Sequence, residues 1–408
     1  MKPRPDLLDE HSPDGLEVMQ LTTEEGVPSS HIYMEAQIFT PDSRRFVLQR
    51  CGHAHGSDPR DPEHRFLLCD LNGGEMTPLT TELGATGPSV SPDGAWLYYL
   101  VDETEPDGGR LTLKRVRLDA TGRETLVVID RPVRGASCRP SLPYPLSTIS
   151  SDGKRLATGA FFGDGRTERA PWGLLVFDLD SGDAWVPLSG PSWCNIHPQY
   201  SRSLASPANR DLLVQENHEC RYDALGEITL LVGGVGADIH VVRDDGDGFR
   251  NMPWGRDGNE HCQGHQCWRG RSERAITSTV AVLSGEAQLI EGVAAPYAGH
   301  VGIATPGGRR NDLSRDFPLP RFFHFATDIA GRRLISDYRA EGAPDALYLA
   351  DLPEADDAPV SEFRYLLSPR CSWLKDNHVH PFLSPDGQTG FFNSDELGIL
   401  QAYVVRGW

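Results

Sequence analysis

The sequence predicts an all-β protein, a seven-bladed β-propeller with four-stranded antiparallel blades around a central channel. One turn phrase of the type Ser-Pro-Asp-Gly, set between two apolar strands, recurs seven times along the 408 residues. The 42 Gly and 31 Pro suit many short strands joined by turns. A chain of this length usually forms two or three domains, but a repeat fold adds blades around one axis. We therefore expect a single domain over residues 1–408.

The turn phrase has a physical reading as a hairpin. Proline presets φ, aspartate bonds to the backbone of its own turn, and glycine accepts a positive φ. The clear copies lie at 39–50, 90–100, 149–157 and 383–392, and the degenerate copies at 200–215, 265–277 and 325–336. A β-helix repeat is far shorter, and a β-sandwich would not repeat one turn seven times, so the propeller is preferred.

A second phrase identifies the third strand of several blades. It is an apolar run that ends in Asp-Leu, at 66–71, 174–179 and 347–352. The run Leu400–Val405 lies beyond the seventh turn, where a third strand belongs. We expect the N-terminal strand near 17–21 to supply the outer strand of that blade and to close the ring with the C-terminal strands near 378–405.

Charge and cysteine content restrict the partners. The net charge of −19 disfavours nucleic acid and anionic membranes, which need a basic footprint. The eight cysteines are scattered and form no C-x-x-C pair, which argues against a disulfide scaffold and a zinc knuckle. No apolar run reaches 18 residues, and the N-terminus has no apolar signal core. We expect a cytoplasmic protein, monomeric or homodimeric, with a small-molecule partner.

The histidines carry the functional prediction. His378 and His380 lie in Asn377-His378-Val379-His380-Pro381, just before the last turn. In a strand, residues i and i+2 point to one face, so both imidazoles are expected to bind one metal. His197, His265 and His324 lie just before or at the corresponding turns of other repeats, where side chains from neighbouring blades converge on the axis.

Other polar and aromatic residues are candidates for substrate binding. Glu216, His218 and Arg221 follow an inner strand of the fourth repeat. Trp268 and Trp373 are candidates to pack against sugar faces, although a tryptophan in such a position is more often a core aromatic.

These segments, in this order, resemble the oligogalacturonate lyases, family 22 of the polysaccharide lyases. The resemblance covers residues from about 190 to the end, and the first half matches only as propeller repeats. The segments that carry it are Ile196-His-Pro-Gln-Tyr200, Gly264-His-Gln-Cys-Trp268, the His324 turn, Ser372-Trp373 and His378-Val-His-Pro381. The resemblance implies a seven-bladed propeller with a divalent transition metal, for which manganese is favoured and iron, nickel or zinc are alternatives.

The resemblance also implies residue roles. His324, His378 and His380 would bind the metal and His265 would be the catalytic base. The family's glutamine ligand falls at Lys375, which cannot ligate while charged, so we predict Asn377 as the remaining ligand, with Asp376 or water as alternatives. Lys375 and His197 would then contact substrate, and Arg221 is the nearest counterpart of the family's catalytic arginine.

The predicted activity is cleavage of short uronate oligosaccharides by β-elimination. The metal would hold the uronate carboxylate while His265 takes the C5 proton. One alternative is a related lyase that acts on another uronide or on a keto-sugar glycoside. Another alternative is a propeller that binds protein or glycan without catalysis, which would leave the axial histidines without a shared role.

Overall fold

The polypeptide folds into antiparallel sheets, and the all-β propeller prediction is confirmed. The computed structural model describes residues 1–33, 36–51, 58–233, 236–254, 260–281, 299–340, 344–355, 358–374 and 377–408. Within these ranges the only helical segments are two single turns of 3-10 helix, Pro5–Leu7 and Ala208–Arg210. No helix in the described part of the chain is long and apolar enough to cross a membrane.

Four of the sheets have four strands each, and one has five because the first strand of the chain extends it. An eight-stranded sheet divides into two units of four that the single pair of Ala237 with Cys262 joins. The arrangement is consistent with seven blades. The N-terminal strands are β1 (Lys2–Pro3) and β2 (Glu17–Gln20). Blade 1 comprises β3 (Ser29–His31), β4 (Arg45–Arg50), β5 (Arg65–Asp70) and β6 (Met76–Pro78). Blade 2 comprises β7 (Ala85–Val90), β8 (Trp96–Glu105), β9 (Gly108–Arg117) and β10 (Glu124–Ile129). Blade 3 comprises β11 (Ser147–Ile149), β12 (Arg155–Phe161), β13 (Trp172–Asp178) and β14 (Ala184–Gly190).

The second half of the chain forms the remaining blades and one separate hairpin. Blade 4 begins with β15 (Gln199–Tyr200) and β16 (Asp211–Asn217), followed by the hairpin β17 (Arg221–Tyr222) and β18 (Ile228–Leu230) and then by β19 (Ala237–Arg243) and β20 (Arg250–Asn251) of the blade. Blade 5 comprises β21 (Glu260–Trp268), β22 (Ala275–Ala281), β23 (Val301–Ala304) and β24 (Asn311–Asp312). Blade 6 comprises β25 (Phe322–Thr327), β26 (Arg333–Tyr338), β27 (Ala346–Asp351) and β28 (Phe363–Leu367). Blade 7 comprises β29 (Phe382–Leu383), β30 (Thr389–Ser394) and β31 (Gln401–Arg406).

Blade 7 takes its outer strand from the other end of the chain. Strand β2 pairs antiparallel with β31, and Val18 lies opposite Val405. Both valines are buried. The sheet therefore contains both ends of the polypeptide, which joins the last blade to the first residues without a covalent link.

The recurring turns share one hydrogen-bond pattern. In the last copy, Ser384 Oγ donates to Asp386 Oδ1 at 2.6 Å, and the Asp386 carboxylate accepts the Gln388 N–H at 3.0 Å. Ser150 and Asp152 repeat the same contact at 2.6 Å. Neighbouring turns also touch, because Asp386 N–H donates to Ser43 Oγ of blade 1 at 3.1 Å. Turns of neighbouring blades thus lie against each other at one end of the channel, which we call the turn end.

The eight cysteines are all free thiols, and seven of them are buried.

The core lies between adjacent blades, where the sheets pack face to face. Between blades 7 and 1, for example, the rings of Phe391 and Phe46 lie 4.9 Å apart.

Candidate metal centre

Four histidines occupy one repeated position, four residues before the first residue of the turn. These are His197, His265, His324 and His380, in blades 4 to 7, ahead of turn residues 201, 269, 328 and 384. Blades 1 to 3 carry Ala36, Gly87 and Leu146 at the same position. At this position, histidines therefore occur only in blades 4 to 7. These blades form the part of the chain that carries the family resemblance.

The backbone at this position departs from regular strand geometry. The register of the inner strand pair shifts around Gly87, around His265 and around His324. His197 and His380 have positive φ values of 48° and 43°. Bulges and left-handed residues re-aim side chains, and they are common beside functional sites. The same irregularity in several blades turns their side chains towards one another across the channel.

The prediction that His378 and His380 lie in a strand is wrong. Residues 377–381 are irregular, and strand β29 begins only at Phe382. The left-handed conformation of His380 and the following Pro381 interrupt extended structure. The two imidazoles nevertheless face each other, with ring centroids 5.2 Å apart.

His324, His378 and His380 form a compact triad that can hold a metal ion. One ring nitrogen of each lies within 4.8 Å of the others. Nitrogens bound to one metal at about 2.1 Å lie at most about 4.2 Å apart, so small ring movements suffice to bring the three nitrogens onto one ion. Three neutral imidazoles suit a transition metal better than calcium or magnesium. The donor set therefore fits the predicted cofactor.

Asp337 fixes the orientation of His324. Its carboxylate accepts the His324 main-chain N–H and the Nδ1–H of the same residue, each at 2.7 Å. This leaves Nε2 of His324 as the nitrogen with a lone pair for a metal. Burial is the main cause that raises the pKa of Asp337, to about 7. Sequence reasoning missed Asp337, which comes from β26, the neighbouring strand.

His265 lies beside the triad. Its ring centroid is 4.3 Å from that of His324, closer than any pair within the triad. Burial lowers the pKa of His265, and the neighbouring histidines lower it further. A neutral imidazole with a free lone pair can accept a proton, so the site keeps His265 in the form that a base requires.

Tyr33 of blade 1 completes the cluster from the opposite side. Its ring lies 4.6 Å from His380 and 5.3 Å from His197. His197 also contacts Tyr144 at 5.1 Å. The structure thus brings His197 into the cluster, together with Tyr33 and Tyr144. Neither tyrosine lies in a turn motif or a metal-binding motif, so sequence reasoning missed both.

Trp373 borders the triad. Its ring stacks on His324 at 5.8 Å and contacts His378 at 5.1 Å. Its indole N–H donates to Asp345 at 2.6 Å, and the exposed Arg339 guanidinium lies 4.8 Å from the ring centroid. Arg339 is a cation beside the centre that the sequence did not single out, because it lies at the end of a strand in another repeat.

Three predicted residues lie on blade 4 and its hairpin. Glu216 accepts a hydrogen bond from Ser192 at 2.6 Å and lies 3.2 Å from His240. His218 lies 2.9 Å from Asp238. Arg221 belongs to the separate β17–β18 hairpin and is exposed. These contacts do not bring the three residues into the triad, and their role in substrate binding stays a prediction.

The prediction for Trp268 is corrected by its burial. Only 3% of this residue is exposed, and its indole N–H donates to the Gln199 carbonyl at 3.0 Å. A ring enclosed in the core offers no face to a sugar, so Trp268 is a structural aromatic.

The remaining ligand stays a prediction. Asn377 is fully buried, and its Nδ2 donates to Asp395 at 2.6 Å. This bond holds the segment that carries His378. Lys375 lies outside the described residues.

Fold and site together define a β-propeller with a histidine cluster on its axis. Two solved structures resemble this chain over nearly its whole length. One is an oligogalacturonate lyase in complex with manganese, with 19% identity, a TM-score of 0.68 and coverage of 97% of this chain and 94% of that one. The other is an oligogalacturonate lyase from Vibrio parahaemolyticus, with 16% identity, the same TM-score and coverage of 97% and 95%. No family model and no curated protein sequence matches the chain. The resemblance drawn from the sequence is confirmed at the level of the fold.

Proposed function

We propose that this protein is a metal-dependent lyase that cleaves short uronate oligosaccharides by β-elimination. The observation that carries the proposal is the triad of His324, His378 and His380 with His265 against it. The propeller shared with the manganese-bound oligogalacturonate lyase supports it. Free thiols at all eight cysteines fit a reducing compartment, and we propose the cytoplasm.

In the proposed reaction, the metal and the side chains of the protein have different roles. When bound, a divalent transition metal, for which we favour manganese, supplies Lewis acidity to the carboxylate of the sugar. The triad would hold that ion, and Asp337 would keep His324 in the ligating tautomer. The Trp373 ring and the Arg339 guanidinium would border the sugar, one offering an apolar face and the other a positive charge.

His265 is the proposed base. It is neutral because burial lowers its pKa, and it lies next to the triad that would hold the carboxylate. In the elimination, the C5–H bond breaks and its proton passes to the imidazole of His265. The electron pair forms the C4–C5 double bond, and the C4–O bond breaks to release the leaving sugar, whose oxygen takes a proton from water while His265 returns its proton to solvent. The products are an unsaturated uronide and a shortened oligosaccharide.

Metal content and turnover test the two parts separately. Purified protein should bind close to one manganese per chain, and His324→Ala and His378→Ala should each abolish binding. His11→Ala, which alters an exposed histidine remote in sequence from the triad, is the matched control. Unchanged metal content in both triad variants would refute the metal site.

With digalacturonate and trigalacturonate, the loaded protein should release a product that absorbs in the ultraviolet through its new double bond. His265→Gln should retain metal but lose at least about a hundredfold in kcat, the contribution of general-base catalysis. A metal-loaded wild-type protein that forms no unsaturated product from either substrate would remove the substrate assignment and leave the metal centre standing.

A further inference from the structure

A second cavity lies at the turn end of the channel. Its volume is about 350 Å³, within the range of small-molecule sites. All seven blades contribute to its wall, through the ends of their inner strands or through their turns; these include Phe39, Ile149, Arg202, Arg271, Ile329 and Phe382. The wall also includes Ala326 and Phe382, each two residues beyond a triad histidine, so the cavity begins about 7 Å of extended chain from the candidate metal centre and continues to the turns.

The wall is apolar except at a few points. Phe39, Leu204 and Ile329, from blades 1, 4 and 6, give the cavity its accessible hydrocarbon surface. Such a surface favours an apolar body and gives no hydration to a bare inorganic ion. It therefore excludes phosphate or sulfate alone as the natural occupant.

Two guanidinium groups face this apolar wall. Arg202 and Arg271 come from the turns of blades 4 and 5. Within the described part of the chain, neither makes a hydrogen bond or an ion pair. Asp328 is the carboxylate with the strongest electrostatic effect on Arg202, and its Oδ1 already accepts the Arg332 N–H at 2.7 Å. In a protein with a net charge of −19, two guanidinium groups at one cavity, with Asp328 as the carboxylate that acts on Arg202, are a local excess of positive charge.

We propose that this cavity is a binding site for a small amphiphilic organic anion, an aromatic or aliphatic body that carries a carboxylate or sulfonate group. The apolar body lies against the phenylalanine and isoleucine side chains, and the anionic group receives charge-assisted hydrogen bonds from Arg202 and Arg271. None of the triad histidines lines the cavity, and the proposal does not depend on the proposed lyase activity.

A fluorescent pair of probes tests the proposal. 8-Anilinonaphthalene-1-sulfonate combines an aromatic body with one anionic group, and N-phenyl-1-naphthylamine is its uncharged counterpart. We expect the sulfonate to bind the folded protein at one site per chain. Arg202→Gln and Arg271→Gln should each weaken its binding by at least about tenfold, the size of a charge-assisted contact. The binding of N-phenyl-1-naphthylamine should change less than about twofold, because it uses only the apolar wall.

Arg309→Gln is the matched control, since Arg309 is an exposed arginine of the outer β23–β24 turn of blade 5. Arg271 is also exposed, so its variant remains informative if the Arg202 variant does not fold. The proposal is overturned if Arg271→Gln binds the sulfonate as the wild type does. It is also overturned if inorganic phosphate displaces the probe at low concentration, or if trigalacturonate displaces it, because that would place the probe in the metal-centre cleft.

Discussion

At the residue scale, the bond between Asp337 and His324 decides how the metal centre is presented. The carboxylate has two oxygens and uses one on the main chain and one on the imidazole of the same residue. That arrangement sets both the position of the backbone bulge and the tautomer of the ring. A single side chain from β26 thereby orients a candidate ligand on β25.

Replacing Asp337 with asparagine tests this role. An amide can direct an N–H at Nδ1 and leave the wrong ring nitrogen protonated, so we expect metal affinity to fall about 10- to 100-fold. Asp351→Asn, on the neighbouring strand with 64% of its side chain exposed, is the control. Calorimetric titration with manganese measures the affinity, and an unchanged dissociation constant for Asp337→Asn would contradict the positioning role.

His31 gives the fold a dependence on pH that is independent of the metal centre. Its ring is buried among Phe46, Phe382 and Phe391, and Nε2 donates to the Tyr403 carbonyl at 2.9 Å. Burial lowers the pKa of His31 from 6.5 to about 4. Between pH 6.5 and about 4, His31 is therefore protonated in the unfolded chain but neutral in the folded chain.

Stability should consequently fall as the pH falls from about 6.5 to 4, and His31 should contribute about 3 kcal/mol to that loss. Urea unfolding across this range should give a slope for His31→Gln that is shallower than the wild-type slope by up to about 1.4 kcal/mol per pH unit. His11→Gln should leave the slope unchanged. Parallel slopes for the wild type and His31→Gln would show that His31 is not the responsible group.

The sequence allowed the five axial histidines to be predicted, because each precedes a recognisable turn. Asp337, Tyr33 and Arg339 could not be predicted in this way. Asp337 reaches His324 only because the strand register shifts between Phe322 and Phe325. Such a shift depends on tertiary packing, and it leaves no mark in hydrophobic periodicity.

At the scale of elements, the turns of blades 5 and 6 lie in close contact. Gly270 has a φ of +50°, and a Cβ there would lie 2.4 Å from the Gly331 nitrogen of the next blade. The glycine thus meets two demands, a left-handed backbone and close approach to a neighbouring backbone. The turn chemistry was predictable from the sequence, whereas the contact between turns was not.

A comparison of Gly270→Ala with Gly307→Ala should distinguish the cost of the left-handed backbone from the cost of the close approach between blades. Gly307 lies in a turn of the same blade with a φ of +69° and has nothing within 4 Å of its Cβ position. Gly307→Ala should cost about 1–2 kcal/mol, the penalty for a left-handed residue. Gly270→Ala should cost clearly more, because backbone atoms must also move. Equal costs in chemical denaturation would show that the blades tolerate separation at this point.

At the scale of the whole molecule, the pairing of β2 with β31 closes the ring. The repeat count and the apolar pattern near residues 17–21 were enough to anticipate a closing strand, since a blade with three strands leaves an unpaired edge. The cavity at the turn end could not be located from the sequence, because residues from all seven blades form its wall.

Val18→Asp should disrupt this closure. Val18 is 3% exposed, and an unpaired carboxylate at this position has no hydrogen-bond partner to replace water. We expect a loss of roughly 4 kcal/mol or more. The neighbouring Glu17, an exposed partner of Arg406, provides the control, and Glu17→Gln should cost under about 1 kcal/mol. Thermal unfolding of both variants measures the difference, and a similar small shift in both would exclude β2 as the closing strand.

The closing strand also couples the candidate metal site to the pairing of two distant segments. Residues 17–20 and 401–406 lie almost the whole chain apart in sequence, so the seventh blade is complete only once both segments have met. His378 and His380 lead into that blade, and their placement therefore depends on a contact between segments far apart in sequence. Weakening the β2–β31 pair should consequently loosen the histidine triad as well as the sheet.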